Sequence, residues 1–340
     1  MVESFGAGVM SALSQFVSST PDVEHHLLRS VRPDFVDDGE LGSFASVTMM
    51  APRPVGAMTG LRRALREIRP DVIHAHSSLA GALVRLAVVR TRARRIIYTP
   101  HGFASERLDV GTLARRAFWA TEWLLSWNTD VLAACSVREY QIAERGHAGE
   151  VVLLPNVAGP GLAEMPRRPK AGRVLGVGRL TAQKDPVYFL KVVEALRAGG
   201  VTTDAVWVGD GSPELGEMLT NHGVQVTGWL PRSSALGLLA GAEVYLHTSA
   251  WDAGPMTLLE SVALGVPSVA RRVLSLPGLP EEASADTPEE VAAIVHRLLD
   301  DGARAEANLR SWRQAFALHT PEEQRSRLRA IYALPAEDGL

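Results

Sequence analysis

Short β-branched runs alternate with longer amphipathic stretches along most of this 340-residue chain. That alternation restricts it to parallel sheets covered on both faces by helices. Strands are expected at residues 72–75, 96–98, 131–134 and 151–153, then at 173–177, 205–208, 224–227, 244–247 and 268–270. Helical periodicity fills 59–68, 115–127, 187–198, 215–222, 233–239 and 257–264, and the tail continues as helices near 288–300, 303–318 and 322–332. The series breaks once, at 155–171, where Pro155, Pro160, Pro166 and Pro169 cluster with several glycines. The expected organisation is therefore α/β. A Rossmann-like domain covers 1–155 with an abbreviated first strand, a hinge linker 156–171, a second Rossmann-like domain 172–318, and a C-terminal helix and tail 319–340. Two such units joined by a hinge put a cleft between them, where ligands of parallel α/β sheets bind.

Bulk chemistry excludes several classes. Lys and Arg number 35 against 38 Asp and Glu, a formal charge of −3, so nothing in the net charge points to nucleic acid. Arg85, Arg90, Arg92, Arg94, Arg95, Arg115 and Arg116 nevertheless make one stretch of the first half basic. The single cysteine, Cys135, rules out an intrachain disulfide and a cysteine metal site, which fits a reducing, cytoplasmic setting. Arg85 interrupts the best apolar run, 79–89, so no segment has the ~18 apolar residues of a spanning helix. Phe118, Trp119, Trp123 and Trp127 share a helical stretch, with the tryptophans four residues apart on one face. The expectation is that this stripe is core, the other option being a membrane-interface helix giving peripheral contact at the inner face of a membrane.

The second half carries the chemistry. After strand 173–177, Gly178-Arg179-Leu180-Thr181-Ala182-Gln183-Lys184-Asp185-Pro186 sets two cations around a turn, just before a helix that Pro186 can open. Two cations beside a helix N-terminus can offset a diphosphate; the alternative is a pair of solvated surface charges. Further on, Trp251-Asp252-Ala253-Gly254-Pro255-Met256-Thr257-Leu258-Leu259-Glu260 places two carboxylates eight residues apart. Gly254-Pro255 is a turn between them, backbone amides of Met256 and Thr257 would meet an anion, and Glu260, expected in the first helical turn, could hold a ribose diol. Gly209-Asp210-Gly211, after strand 205–208, is a turn placed on the ligand side.

In the first half, Gly6-Ala7-Gly8 is expected as a turn ahead of an amphipathic helix, with glycines that let backbone approach a ligand. A dinucleotide fingerprint is the rival there, but Ser11 stands where its third glycine belongs and too few residues precede Gly6 for a full strand. His74 and His76 end strand 72–75. His74 can be a satisfied core histidine, and His-x-His without a third ligand is a weak metal signal. Ser77 or Ser78 can cap the following helix. His101-Gly102 closes strand 96–98, and Ser136-Val137-Arg138-Glu139 has the spacing of a capping box.

Gly178, Arg179 and Lys184, followed by Asp252 and Glu260 with seven residues between, resemble the signature of the retaining glycosyltransferases of family 4, over most of the chain. That resemblance implies a GT-B fold, two facing Rossmann-like domains with a C-terminal helix returning to the first. Arg179 and Lys184 would neutralise the donor diphosphate, Glu260 would bind the nucleotide ribose, and Asp252 would sit by the transferred sugar, although the family commonly has Glu there. His101 would lie beside the same sugar, and Gly6 and Gly8 would approach the donor phosphates. Val157 stands where the family commonly has the Gly of Asn-Gly after Asn156. The implied activity is transfer, with retention, of a hexose or hexosamine from a nucleoside-diphosphate sugar to a hydroxyl acceptor in polysaccharide or glycoconjugate biosynthesis. The acceptor could be lipid-linked. No metal is expected, since no Asp-x-Asp would hold one against a diphosphate. The loop Gly228-Trp229-Leu230-Pro231-Arg232 lacks an acid for guanine, which favours UDP. A binding subunit with little turnover and a nicotinamide-dependent oxidoreductase are the alternatives.

Overall fold

The computed structural model describes residues 1–2, 7–30, 40–51, 53–91 and 94–335, so Gly6 and Arg92 lie outside the described residues. The chain divides into two compact units, 1–157 with 318–340, and 158–317.

Unit 1 runs α1 (Ala7–Ser19), β1 (His26–Arg29), β2 (Ser46–Met49), α2 (Pro54–Ile68), β3 (Val72–His76), α3 (Ser78–Ala87), β4 (Arg95–Thr99), α4 (Thr112–Ser126), β5 (Val131–Ala134), α5 (Val137–Glu144) and β6 (Glu150–Leu153). Strands β3-β4-β5-β6 form one parallel set and β1-β2 another. Val2 makes parallel bridges to Arg29 and to His76, so among the described residues it joins the two sets. The period-2 alternation explains the two faces. Ile96 and Tyr98 of β4 and Leu132 and Ala134 of β5 pack on one side, with Leu83 and Val84 of α3. Ile97, Val131 and Ala133 pack on the other with Phe16 of α1. Gly8 sits inside α1 and is exposed, which corrects the expected turn at that position.

Unit 2 runs β7 (Arg173–Val177), α6 (Pro186–Ala198), β8 (Asp204–Val208), α7 (Pro213–Asn221), β9 (Gln225–Val226), α8 (Arg232–Ala240), β10 (Val244–His247), α9 (Met256–Ala263), β11 (Ser268–Arg271), β12 (Ser284–Ala285), α10 (Pro288–Asp300) and α11 (Gly302–Ala315). Its six strands are parallel in the order β12-β11-β10-β7-β8-β9. Val174, Trp207, Val244 and Val269 pack on one face, with Phe189 and Val193 of α6 and Val295 of α10. Leu175, Val206, Tyr245 and Ala270 pack on the other with Leu258 of α9 and Trp312 of α11. Burial of Trp207 stabilises by roughly 3 kcal/mol, and its indole N–H donates to the Gly178 carbonyl at 2.9 Å. Thr287 and Glu290 form a full capping box that starts α10. Leu162 is buried against this unit and Arg167 donates to the Ala242 carbonyl at 3.2 Å, so much of the Pro/Gly-rich segment is fastened down.

The chain then returns to unit 1 as α12 (Pro321–Tyr332), whose Leu328, Ile331 and Tyr332 complete the core around Phe16 and Ile97. The expected tryptophan core stripe is overturned. On α4, Leu125 is buried and Glu122 turns inward to Arg85, while Trp119, Trp123 and Trp127 are 48%, 46% and 66% exposed. Helical periodicity correctly grouped them on one face, but that face points outward. No helix among the described residues is long and apolar enough to cross a membrane.

Candidate functional site

The loop after β7 is built on the loop after β8. The Gly178 amide donates to the Val208 carbonyl at 3.0 Å and the Leu180 amide to the Asp210 carbonyl at 2.8 Å. Gly209, with φ 136°, lies so close that a Cβ there would fall 2.2 Å from the Gly178 carbonyl oxygen. Gly178 has φ 149°, and a Cβ on it would meet the Lys184 stem at 2.8 Å. These two glycines therefore serve close approach, and the second lets the lysine fold back over the loop. Arg179, half-buried, follows directly.

Lys184 is fixed at both ends. Its carbonyl accepts from the Thr248 hydroxyl at 2.8 Å, and the next residue, Asp185, caps α6 in the left-handed region (φ 48°). Asp185 accepts from the Tyr188 amide at 3.1 Å and from Arg271 at 2.7 Å, and the Arg271 guanidinium lies 4.4 Å over the Tyr188 ring. At the other end, Lys184 Nζ donates to Asp252 Oδ2 at 2.6 Å, although the two are 68 residues apart in sequence.

Asp252 is the hub of this cluster. The Ser249 hydroxyl donates to Oδ2 at 3.2 Å, the Ala253 amide to Oδ1 at 2.9 Å, and the Asp252 amide itself donates to Ser275 Oγ at 2.9 Å. Burial pushes its pKa up, but Lys184, His247 and these hydrogen bonds outweigh that and hold it below the usual carboxylate range. His247 Nε2 lies 3.7 Å from Oδ2. Burial drives the His247 imidazole down to about 4 against the pull of Asp252, so it is neutral at pH 7. Sequence reasoning missed His247; the signal was a polar residue closing the otherwise apolar strand β10 at its carboxyl end.

From Asp252 the chain turns through Gly254 (φ 110°) and Pro255, the N-cap of α9, so Met256 and Thr257 are its first two helical residues. Their amides stand where a helix has no acceptor of its own, at the positive end of its dipole. Glu260 is the fifth residue of α9 rather than in its first turn, a correction to its expected place. It is buried, and Arg232 Nη2 from the start of α8 lies 2.7 Å from its Oε1 as a short ion pair without hydrogen-bond alignment. The Tyr245 hydroxyl lies 3.3 Å from His247 Nδ1. Burial, then the charges of Asp252 and Glu260, hold the Tyr245 pKa above the ordinary tyrosine value. Unit 2 thus gathers Gly178, Lys184, Gly209, Asp252 and the start of α9 around the carboxyl ends of β7, β8 and β10.

Unit 1 has a polar cluster of a different kind. His101 adopts φ 50° at the end of β4, and its Nε2 lies 3.1 Å from His76 Nδ1. His74 bonds to the Tyr332 hydroxyl at 3.0 Å and to the Thr99 hydroxyl at 2.8 Å, a satisfied histidine. The His74 and His76 rings are 4.0 Å apart. Burial, first of all, lowers all three pKa values, that of His101 to about 4. Among the described residues no group of three His, Cys, Asp or Glu side chains could hold a metal. Ser77 is the N-cap of α3, with φ 78° and no side-chain cap bond. Glu139 corrects the expected capping box. Its amide does donate to Ser136 Oγ, but its carboxylate accepts from the Gly102 amide at 2.5 Å and the Cys135 amide at 2.8 Å. Burial raises this carboxyl to about 7 despite those bonds. Glu139 therefore holds the His101-Gly102 loop, which the spacing alone did not reveal.

Two family models match the chain, "Glycosyl transferase 4-like domain" over residues 15–157 and "Glycosyl transferases group 1" over 171–301. HepE of Anabaena, solved in complex with UDP, superposes with a TM-score of 0.72 at 16% identity, covering 98% of each chain. The chain belongs to the family 4 type of GT-B glycosyltransferases. Among curated relatives, the chain is 28% identical over 223 residues to an uncharacterized 41.2 kDa protein in the cps region of Klebsiella pneumoniae, covering 61% of this chain and 62% of that protein. It is 22% identical over 273 residues to the UDP-Gal:alpha-D-GlcNAc-diphosphoundecaprenol alpha-1,3-galactosyltransferase of Escherichia coli, covering 71% of this chain and 68% of that protein. The chain thus spans about two thirds of the length of these relatives.

Proposed function

We propose that the chain moves a hexose or hexosamine from a nucleoside-diphosphate sugar, UDP-linked by preference, to a hydroxyl of a glycan or lipid-linked acceptor, with retention at the anomeric carbon. The observation that carries this is the Lys184 ammonium, folded over Gly178 and held 2.6 Å from Asp252 at the mouth of β7, with the start of α9 only a few residues beyond that acid. As the anomeric C–O bond breaks, negative charge grows on the departing phosphate. Lys184, Arg179 and the Met256 and Thr257 amides supply positive charge to it, and their fixed geometry lowers the reorganisation needed. The acceptor oxygen forms the new bond on the face that the diphosphate leaves, and its proton passes to the departing phosphate oxygen. Asp252 positions Lys184, and Glu260 takes the ribose diol through the oxygen that Arg232 leaves. His101 contacts the transferred sugar, the role that the family resemblance implies.

Support for UDP comes from the Gly228–Arg232 loop, which has no acid for guanine, and from the UDP in the names of the galactosyltransferase and HepE comparisons. Support for a polysaccharide or lipid-linked acceptor comes from the same galactosyltransferase. A panel of nucleotide sugars tested by thermal shift should single out one donor that raises the melting temperature, with Arg179→Ala and Lys184→Ala losing the response. Transfer from that donor, with NMR of the product anomer, tests the chemistry. Donor binding without transfer to any hydroxyl acceptor would replace this reading with that of a binding subunit, and inversion would remove retention.

A further inference from the structure

Helix α4 carries an apolar surface that none of the described residues of unit 1 covers. Leu113, Trp119, Trp123, Leu124 and Trp127 are all between 46% and 81% exposed on it. At aromatic side-chain areas of 150–250 Å², these five leave on the order of 500 Å² of apolar surface in water, as large as the biggest patches on ordinary soluble monomers. The patch extends to the neighbouring helix. Asn128, just after α4, donates to the carbonyls of Arg85 and Val88 at 2.6 Å, which brings the end of α3 alongside, and Leu86 and Val89 there are 63% and 78% exposed.

Charge decides what such a surface fits. The one acid of α3 and α4 is Glu122, which turns inward, where Arg85 Nη2 reaches it at 2.8 Å and the Tyr98 hydroxyl at 3.0 Å. The charged residue on the outer face of α4 is Arg116, exposed. Exposed Arg90, 3.6 Å from Asp130, and exposed Arg145, next to exposed Glu144, flank the two helices. Arg145 precedes Gly146, where a Cβ would be 3.3 Å from the Trp119 ring. A second copy seated on this face would set arginine against arginine, with no acid of either helix to answer it. An anionic headgroup layer answers the arginines, and indole rings prefer that interface because they are apolar bodies with one polar N–H. Between α4 and α5 a shallow recess, open to solvent and lined by Phe103, Trp119, Trp123, Leu132 and Ile142, continues this apolar surface inward.

We infer that the outer face of α3 and α4 docks on the surface of an anionic phospholipid bilayer, with the tryptophans in the headgroup layer and Arg90, Arg116 and Arg145 against lipid phosphates. The contact is peripheral and needs no nucleotide sugar, so it stands or falls apart from the transfer reaction.

The test is vesicle flotation of the full chain, without donor, on phosphatidylcholine alone and on phosphatidylcholine mixed with phosphatidylglycerol. The chain should float with the mixed vesicles and not with the neutral ones, its tryptophan emission should move to the blue, and rising salt should release it. Replacing Trp119, Trp123 and Trp127 by Ser should cut the bound fraction by about tenfold or more, and Arg116→Glu by less. Because these side chains are exposed, the melting temperature should hold. Should the triple variant unfold, Trp127→Ser and Arg116→Glu singly carry the test. Absence of flotation on mixed vesicles overturns the inference. So does a concentration-dependent dimer in sedimentation that the tryptophan variant abolishes, since the face would then belong to a second copy.

Discussion

The two units present polar clusters at the carboxyl ends of equivalent strands, yet one is charged and the other neutral. In unit 2, Lys184 and Asp252 meet at 2.6 Å, Arg232 and Glu260 at 2.7 Å, and Arg271 and Asp185 at 2.7 Å. In unit 1, three histidine rings lie side by side, His76 bonded to His101, with burial holding each below its ordinary pKa, and a carboxyl raised to about 7 supports the loop. The difference is one of surroundings. Unit 2 sets each acid against a cation; unit 1 buries imidazoles beside one another, with the Met1 ammonium close to His74, and burial and these like charges all disfavour the imidazolium. A charged cluster suits an anionic ligand, whereas a neutral one can accept and donate hydrogen bonds to hydroxyls without setting a net field.

The comparison breaks most sharply at Lys184. Lys184→Ala should lower kcat/KM for transfer by about 10²–10³-fold. It should also cost about 2 kcal/mol of stability, because Asp252 is left mostly buried without its partner. Steady-state kinetics and denaturant melts check both, and Lys184→Arg should recover part of each. A loss below threefold would mean that the charged cluster is structural.

A smaller effect is expected in unit 1. Glu139→Gln keeps the shape but gives one of the Gly102 and Cys135 amides a donor instead of an acceptor, at a cost of about 1–3 kcal/mol. The His101 loop should loosen, so transfer should fall by roughly tenfold or less while donor-induced thermal shift stays intact. A lost thermal shift would contradict the separation of the two clusters.

A third expectation is read in stability against pH rather than in turnover. A histidine whose folded pKa is depressed stabilises fully above its unfolded pKa near 6.5, and that contribution is lost as pH falls toward 4. Each such group gives a slope of up to about 1.4 kcal/mol per pH unit in that window. The Asp252 pair, whose carboxyl is held low, keeps its contribution until the pH drops below the ordinary carboxylate range. Glu139 works the other way, gaining stability as pH falls below about 7. Stability should therefore decline between pH 6.5 and 4.5, and His101→Asn should flatten the curve if unit 1 is the source.

Most of the parallel strands were legible because their apolar runs are continuous, and β5, β7 and β10 span the residues expected of them. Three strands were not. His26–Arg29 has only two apolar residues, Ser46–Met49 alternates over just four, and Ser284–Ala285 has no signal of its own; neighbours impose all three. The Lys184–Asp252 contact was legible as two motifs, while the residues that fix it, His247, Ser249, Ser275 and Arg271, come from the ends of strands or distant loops without any local pattern. Glu139 matched a spacing rule and still went elsewhere, because the Gly102 amide, brought close only by the sheet, competes for its carboxylate. The α4 tryptophans show the limit of periodicity, which groups residues on a face without saying which way that face looks.

The path of the chain through unit 1 has a consequence for synthesis. Its first 157 residues leave the ribosome early, but Leu328, Ile331 and Tyr332 of α12, which pack on Phe16 and Ile97, emerge only after the whole of unit 2. The apolar bed for α12 stays uncovered through all that time, while unit 2, contiguous from 158 to 317, can close on itself as soon as it is made. The unit begun first is thus finished last.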